Sequence, residues 1–209
     1  MSKELIKRIL SSLILIPITL FFIVKGSFLF LFFISICFCV IIYEWHMMSK
    51  KKPYRIFGII FLFFSFYSIF ILRIDNDYWL LLFIITICIS TDIGGYVFGK
   101  IFKGPKLTKF SPNKTYAGMI GGYLLSIISA IILTNFYFNV EHPINWFIFV
   151  ILISTISQLG DIIISYFKRL SKIKDTGKII PGHGGLLDRV DGMIFAFPFS
   201  YLIFLIDIL

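Results

Sequence analysis

Charge is scarce in this chain. Asp, Glu, Lys and Arg make up 15% of its 209 residues, against 58% hydrophobic and 19% aromatic, and the mean hydropathy is +0.95. A soluble domain of this size has no interior large enough for so much apolar surface, so the bilayer is the expected solvent. Cysteine is sparser still. Cys37, Cys39 and Cys88 lie within apolar segments and lack the paired spacing of a metal knuckle, so small buried hydrophobes are expected of them. No G-x-x-x-x-G-K-S/T occurs, so a Walker-type P-loop is not indicated. The sequence shows no internal repeat and no long low-complexity linker. Behind the basic start MSKELIKRIL there is no small-x-small cleavage site, so the first apolar run is expected to be retained as a helix.

Apolar sequence fills the chain instead, in seven segments near residues 9–24, 27–43, 56–72, 78–98, 117–138, 145–167 and 192–207. A hydrocarbon core of about 30 Å takes roughly 20 helical residues, so the first three segments are short and merge with the interface at their ends. The expected fold class is all-α: a polytopic membrane helical bundle of about seven transmembrane helices in a single domain, 1–209. Every Lys and Arg except Lys25 and Arg73 falls at the N-terminus or in the second, fourth and sixth loops. A cytoplasmic N-terminus then satisfies the positive-inside rule. The formal net charge of +9 follows from that asymmetry and needs no nucleic acid to explain it. It suits anionic headgroups and anionic soluble substrates. His46 and His142 are isolated, and surface or interface placement is expected for both.

Ionisable groups inside apolar segments are costly, and they mark function by default. Asp92 in the fourth segment and Asp161 in the sixth qualify. On a helix Asp161, Ser165, Lys168 and Arg169 share one face, carrying a carboxylate, a hydroxyl and then two cations towards the interface. The following loop supplies Lys174 and Asp175, then PGHGG, then LLDRVDG. Gly182, Gly184 and Gly185 permit positive φ and close backbone approach, as phosphate-binding turns require. His183 lies between them, placed to donate to an oxyanion. Asp188 and Asp191 stand at i and i+3 and face one site if a helix begins there. Arg189 is a fork donor suited to phosphate. Carboxylates, cations and a glycine-rich turn are the equipment of metal-assisted phosphoryl transfer. The fourth loop adds five lysines and SPNKT, in which Ser111, Asn113, Lys114 and Thr115 offer donors to a phosphate or a nucleobase. The pairs Gly95/Gly99 and Gly118/Gly122 have the small-xxx-small spacing of close helix packing.

The run SYFKRLSKIKDTGKIIPGHGGLLDRVD, residues 165–191, resembles the signature of the phosphatidate cytidylyltransferases, also called CDP-diacylglycerol synthases. S-x-x-K-R, K-D-x-G, P-x-H-G-G and D-R-x-D are all present. DIGGYVFGK at 92–100 and SPNKTYAG at 111–118 resemble that family's other polar segment in the same order, so the likeness covers 92–192. One position departs: many members carry an acid just before the signature serine, where this chain has Ile164.

The resemblance implies that CTP and phosphatidic acid give CDP-diacylglycerol and pyrophosphate with Mg²⁺, a second cation being left open. It implies that Asp161 and Asp188 ligate the metal and that Asp191 helps through contacts with the groups around the ligands. Lys168, Arg169, Lys174, His183 and Arg189 would hold the phosphates, with Asp175 in the same catalytic group. Asp92, Ser111, Asn113, Lys114, Thr115 and Ser165 would bind substrate. The expected partners are CTP, phosphatidic acid in the cytoplasmic leaflet, membrane lipids and a second copy as a homodimer. The expected location is a bacterial inner membrane, with the site facing the cytoplasm. A transporter would also place carboxylates at membrane depth, but it would show two related halves. A CDP-alcohol phosphotransferase would carry a spaced DG-x-x-AR pattern, which is absent. A CTP-dependent polyprenol kinase would use a lipid alcohol and has no need of the full D-R-x-D signature.

Overall fold

The computed structural model describes residues 3–108, 111, 114–137, 143–182 and 184–206. Among them the chain forms α1 (Lys3–Lys25), α2 (Ser27–Met48), α3 (Arg55–Ile74), α4 (Tyr78–Phe102), α5 (Tyr116–Tyr137), α6 (Pro143–Leu170), a single turn α7 (Leu187–Val190), and α8 (Met193–Leu205). Two isolated antiparallel bridges are the β structure present among the described residues. The chain folds as a polytopic helical membrane bundle. Helices α2 to α6 are each long and apolar enough to cross a membrane, whereas the apolar stretch Leu13–Lys25 of α1 and the helix α8 are shorter. Their outward faces stay apolar, with Phe28, Phe57, Ile60 and Ile101 exposed, as a lipid solvent allows.

Helix α4 is the most enclosed, half of its apolar window being buried. Its Phe83, Ile84 and Ile87 meet Phe149 and Ile153 of α6 and Ala196 of α8 in the main core. Against α5 the approach is closer than side chains permit. A Cβ on Gly94 would run into the Gly121 carbonyl, and one on Gly118 would lie 2.6 Å from the Gly95 carbonyl oxygen. The expected glycine pairs do face this crossing, but its tightest points also use Gly94 and Gly121, one residue away from the spacing rule. Packing at the backbone scale follows both helices rather than one sequence register.

Two devices tie the helix ends. Between α1 and α2, Gly26 has φ 64°, and the place of its missing Cβ is taken by Arg73. Arg73 Nε donates to Ile23 O at 2.9 Å and Nη2 to Val24 O at 3.4 Å, satisfying carbonyls at the end of α1. One of the two cations outside the basic loops is therefore spent on a helix end. At the opposite end of the bundle the three basic loops gather: Tyr54 Oη lies 2.9 Å from Ser171 Oγ, and Lys114 pairs with Asp161. A second apolar cluster, Ile41, Trp45, Met48, Leu62, Ile164, Leu187 and Ile194, forms the floor beneath them.

Candidate active site

The signature loop turns back on itself after α6. Ile180 N donates to Gly184 O at 3.0 Å and Gly184 N to Ile180 O at 3.2 Å, closing the PGHGG turn. Gly182 and Gly184 have φ 78° and 89°, the left-handed conformation their sequence position anticipates. Gly185 serves differently, by close approach: a Cβ there would strike Thr176 Oγ1. His183 lies outside the described residues.

Asp188 organises this loop. Its Oδ2 accepts from Thr176 N at 2.7 Å and Gly185 N at 3.1 Å, and its Oδ1 accepts from Lys168 Nζ at 2.9 Å. Lys168 Nζ also stands 3.8 Å from Asp191 Oδ2. The single turn α7 and the residue that follows it thus present both carboxylates to one lysine from the end of α6.

Asp161 forms the other half. Its Oδ1 accepts from Ser165 Oγ at 3.3 Å, as the shared helix face requires, and its Oδ2 pairs with Lys114 from the fourth loop. That contact joins the two polar segments of the sequence. Asp191, 8% exposed, stands within electrostatic reach of Asp161. Burial first, and then the Asp161 charge, push its carboxyl well above the ordinary range, with Lys168 opposing. Asp92 is exposed on α4, within electrostatic reach of Asp161, Lys114 and Arg189.

The fourth loop is a short hairpin-like excursion between α4 and α5. Leu107 N donates to Lys114 O at 2.7 Å and Tyr116 N to Pro105 O at 3.2 Å. Thr115 Oγ1 accepts from Gly118 N at 3.1 Å, so its acceptor side serves the first turn of α5. Ser111 takes part through its backbone, donating from N to Thr108 Oγ1 at 3.2 Å and accepting at O from Lys114 N at 3.0 Å. Asn113 lies outside the described residues. Around the rim, Arg169 Nη1 turns to Ile173 O at 3.2 Å, and Lys174, Asp175 and Arg189 are exposed. Ile164, where many members of the family carry an acid, is 2% exposed and packs in the apolar floor with Leu187 and Ile194.

Sequence reasoning missed Glu44. It is 1% exposed, and both of its oxygens accept hydrogen bonds from the signature loop: Leu186 N at 3.0 Å, Leu187 N at 2.8 Å and Thr176 Oγ1 at 3.2 Å. The available signal was an acid flanked by Tyr43 and Trp45 at the end of an apolar segment.

Among the described residues no three of His, Cys, Asp and Glu are arranged to hold a metal ion on their own. The carboxylates still suit a hard cation that completes its shell with phosphate oxygens and water, which is how Mg²⁺ usually binds. Asp161 keeps lone pairs beyond its two contacts, and Asp92, Asp161 and Asp191 repel one another across the same space.

The model of the cytidylyltransferase family matches residues 53–207. The chain is 35% identical over 207 residues to the phosphatidate cytidylyltransferase of Rickettsia felis, covering 94% of this chain and 90% of that protein. It is 36% identical over 198 residues to the enzyme of that name from Rickettsia conorii, covering 90% and 85%. With the one from Brucella suis it shares 35% over 176 residues, 82% of this chain and 63% of the relative.

Proposed function

The chain belongs to the cytidylyltransferase family, and we propose that it is a phosphatidate cytidylyltransferase. It joins CTP and phosphatidic acid into CDP-diacylglycerol and releases pyrophosphate. The observation that carries this reading is the Lys114–Asp161 pair, which ties the fourth loop to the face of α6 whose Lys168 pairs with Asp188 of the D-R-x-D signature, at the end of the bundle where the basic loops gather.

Both reactants are anions, so their meeting needs cations in a partly desolvated place. A lipid phosphate oxygen attacks the α-phosphorus of CTP; the bond from that phosphorus to the β-phosphate bridge breaks, and pyrophosphate departs. The lipid phosphate is the nucleophile, so no protein nucleophile is required. Lys168 and Lys114, each already tied to a carboxylate, offset charge where the phosphates converge, and exposed Arg189 reaches them from the rim. Asp161 and Asp188 would hold Mg²⁺, which when bound supplies Lewis-acid stabilisation of the phosphate charge. Asp191 would act through its contacts with Asp161 and Lys168. Asp92, Ser111, Asn113 and Thr115 would border the substrates, while Arg169, Lys174, Asp175 and His183 complete the loop.

The same reading places seven spans in a bacterial inner membrane, with the N-terminus and site on the cytoplasmic side by the distribution of Lys and Arg. It carries a homodimer as the assembly, tested by cross-linking in native membranes.

The deciding experiment uses membranes holding the chain, phosphatidic acid, Mg²⁺ and CTP labelled in the cytosine or at the γ-phosphate. Cytosine label entering the lipid, with γ-label released as pyrophosphate, is the expected result. Entry of γ-label into the lipid would make the protein a CTP-dependent lipid kinase, and movement of neither would overturn the reading. Chelation of Mg²⁺ should stop transfer; transfer that survives would remove the metal from the proposal.

A further inference from the structure

We propose that Glu44 is a positioning residue for this reaction, holding the 176–187 segment from inside the protein so that Asp188 and Lys168 stay in register. The inference rests on the reading above for the chemistry, but its geometry is independent of it.

A carboxylate taken out of water costs several kcal/mol unless donors replace its hydration. Glu44 meets that condition with donors from one loop only, two amides just before Asp188 and the hydroxyl of Thr176. Thr176 is the link. Its hydroxyl goes inwards to Glu44 at 3.2 Å while its amide goes outwards to Asp188 at 2.7 Å. The loop is therefore clasped between two carboxylates, one beneath it and one at the site. Two glycines of the signature fit the same clasp. A Cβ on Gly177 would lie 2.5 Å from Glu44 Oε1, and one on Gly185 would lie 2.7 Å from Glu44 Oε2. The small residues in K-D-x-G and P-x-H-G-G make room for the acid below. Without it, three donors lose their acceptor at a site where Thr176 and Leu187 are buried, and the backbone that sets Asp188 must shift.

The test uses full-length protein in nanodiscs, and it has two readouts. In the wild type the amides of Leu186 and Leu187 should resist hydrogen exchange as helical amides do; rapid exchange there would overturn the proposal with no variant needed. In Glu44→Gln, which keeps the shape but turns one acceptor into a donor, kcat should fall roughly 10- to 100-fold, the scale of losing a residue that orients a ligand. The KM for phosphatidic acid should hardly move, and faster exchange should be confined to residues 176–188. Thr176→Val, a milder change, should shift kcat in the same direction. Unchanged kcat in both variants, or exchange that rises throughout the bundle, would reduce Glu44 to a general packing element. Should Glu44→Gln not accumulate folded, Thr176→Val and the wild-type exchange decide. If the wild-type chain transfers no cytidylyl group, the reading of the reaction fails, and the exchange data alone uphold or overturn the clasp.

Discussion

Asp161 and Asp188 carry the same group in different company. Asp161 touches side chains, Ser165 and Lys114, on a face where its own side chain is 25% exposed. Asp188 grips two backbone amides as well as Lys168. Asp161→Asn should cut turnover by about 10²-fold or more, the scale of removing one electrostatic stabiliser at a reacting phosphate. Its melting temperature should stay close to that of the wild type, because a partly exposed ion pair contributes about 0–1 kcal/mol. Asp188→Asn should lose turnover similarly and also about 1–3 kcal/mol of stability, since the new amide must face a donor. Labelled-CTP assays and thermal melts on the purified variants check both, and equal melting temperatures would deny Asp188 its hold on the loop. The two acids stood out in the sequence because each sits beside apolar or glycine-rich sequence with no local use for it. Glu44 did not, because its partners lie 132 to 143 residues away and no local pattern announces them. Ile164 is the converse case: the signature draws attention to it as a departure, and its side chain is spent on the apolar floor.

At the scale of elements, the crossing of α4 and α5 decides where the fourth loop hangs. Gly94→Ala sets a methyl against the Gly121 carbonyl, whereas Gly95→Ala has its nearest neighbour, Gly118 O, at an ordinary 3.8 Å. The first should cost about 1–3 kcal/mol through overpacking and raise the KM for CTP, because Lys114 moves with the helix end. The adjacent Gly95→Ala should be nearly silent. Thermal melts with CTP saturation curves separate them, and equal behaviour would mean that the helices part freely. That these helices pack through glycine was legible from i, i+4 spacing. Which glycines touch was not, because the contact depends on the crossing of two helices rather than on the period of either. The apolar segments mapped onto helices for a simpler reason: a backbone in lipid must satisfy its own hydrogen bonds.

For the whole molecule, the basic loops gather at one end of the bundle, the end that holds the carboxylates. Attraction of CTP by those loops acts through solvent, where charges farther apart than about 8 Å are screened at physiological salt. Raising ionic strength should therefore increase the KM for CTP more than it changes the partitioning of phosphatidic acid. A salt-independent KM would leave the lysines with topology as their role. One contact within that end also bears on how the chain is assembled. A membrane protein is made from its N-terminus, so α2 enters the bilayer with Glu44 at its tip before the loop exists. Leu186, which binds that carboxylate, is 142 residues further on. Until it arrives the acid has water and headgroups for company, which keeps the tip of α2 at the bilayer surface. Sealing the signature loop over it is then a closing step of biogenesis, and the site is completed only once nearly the whole chain has been inserted.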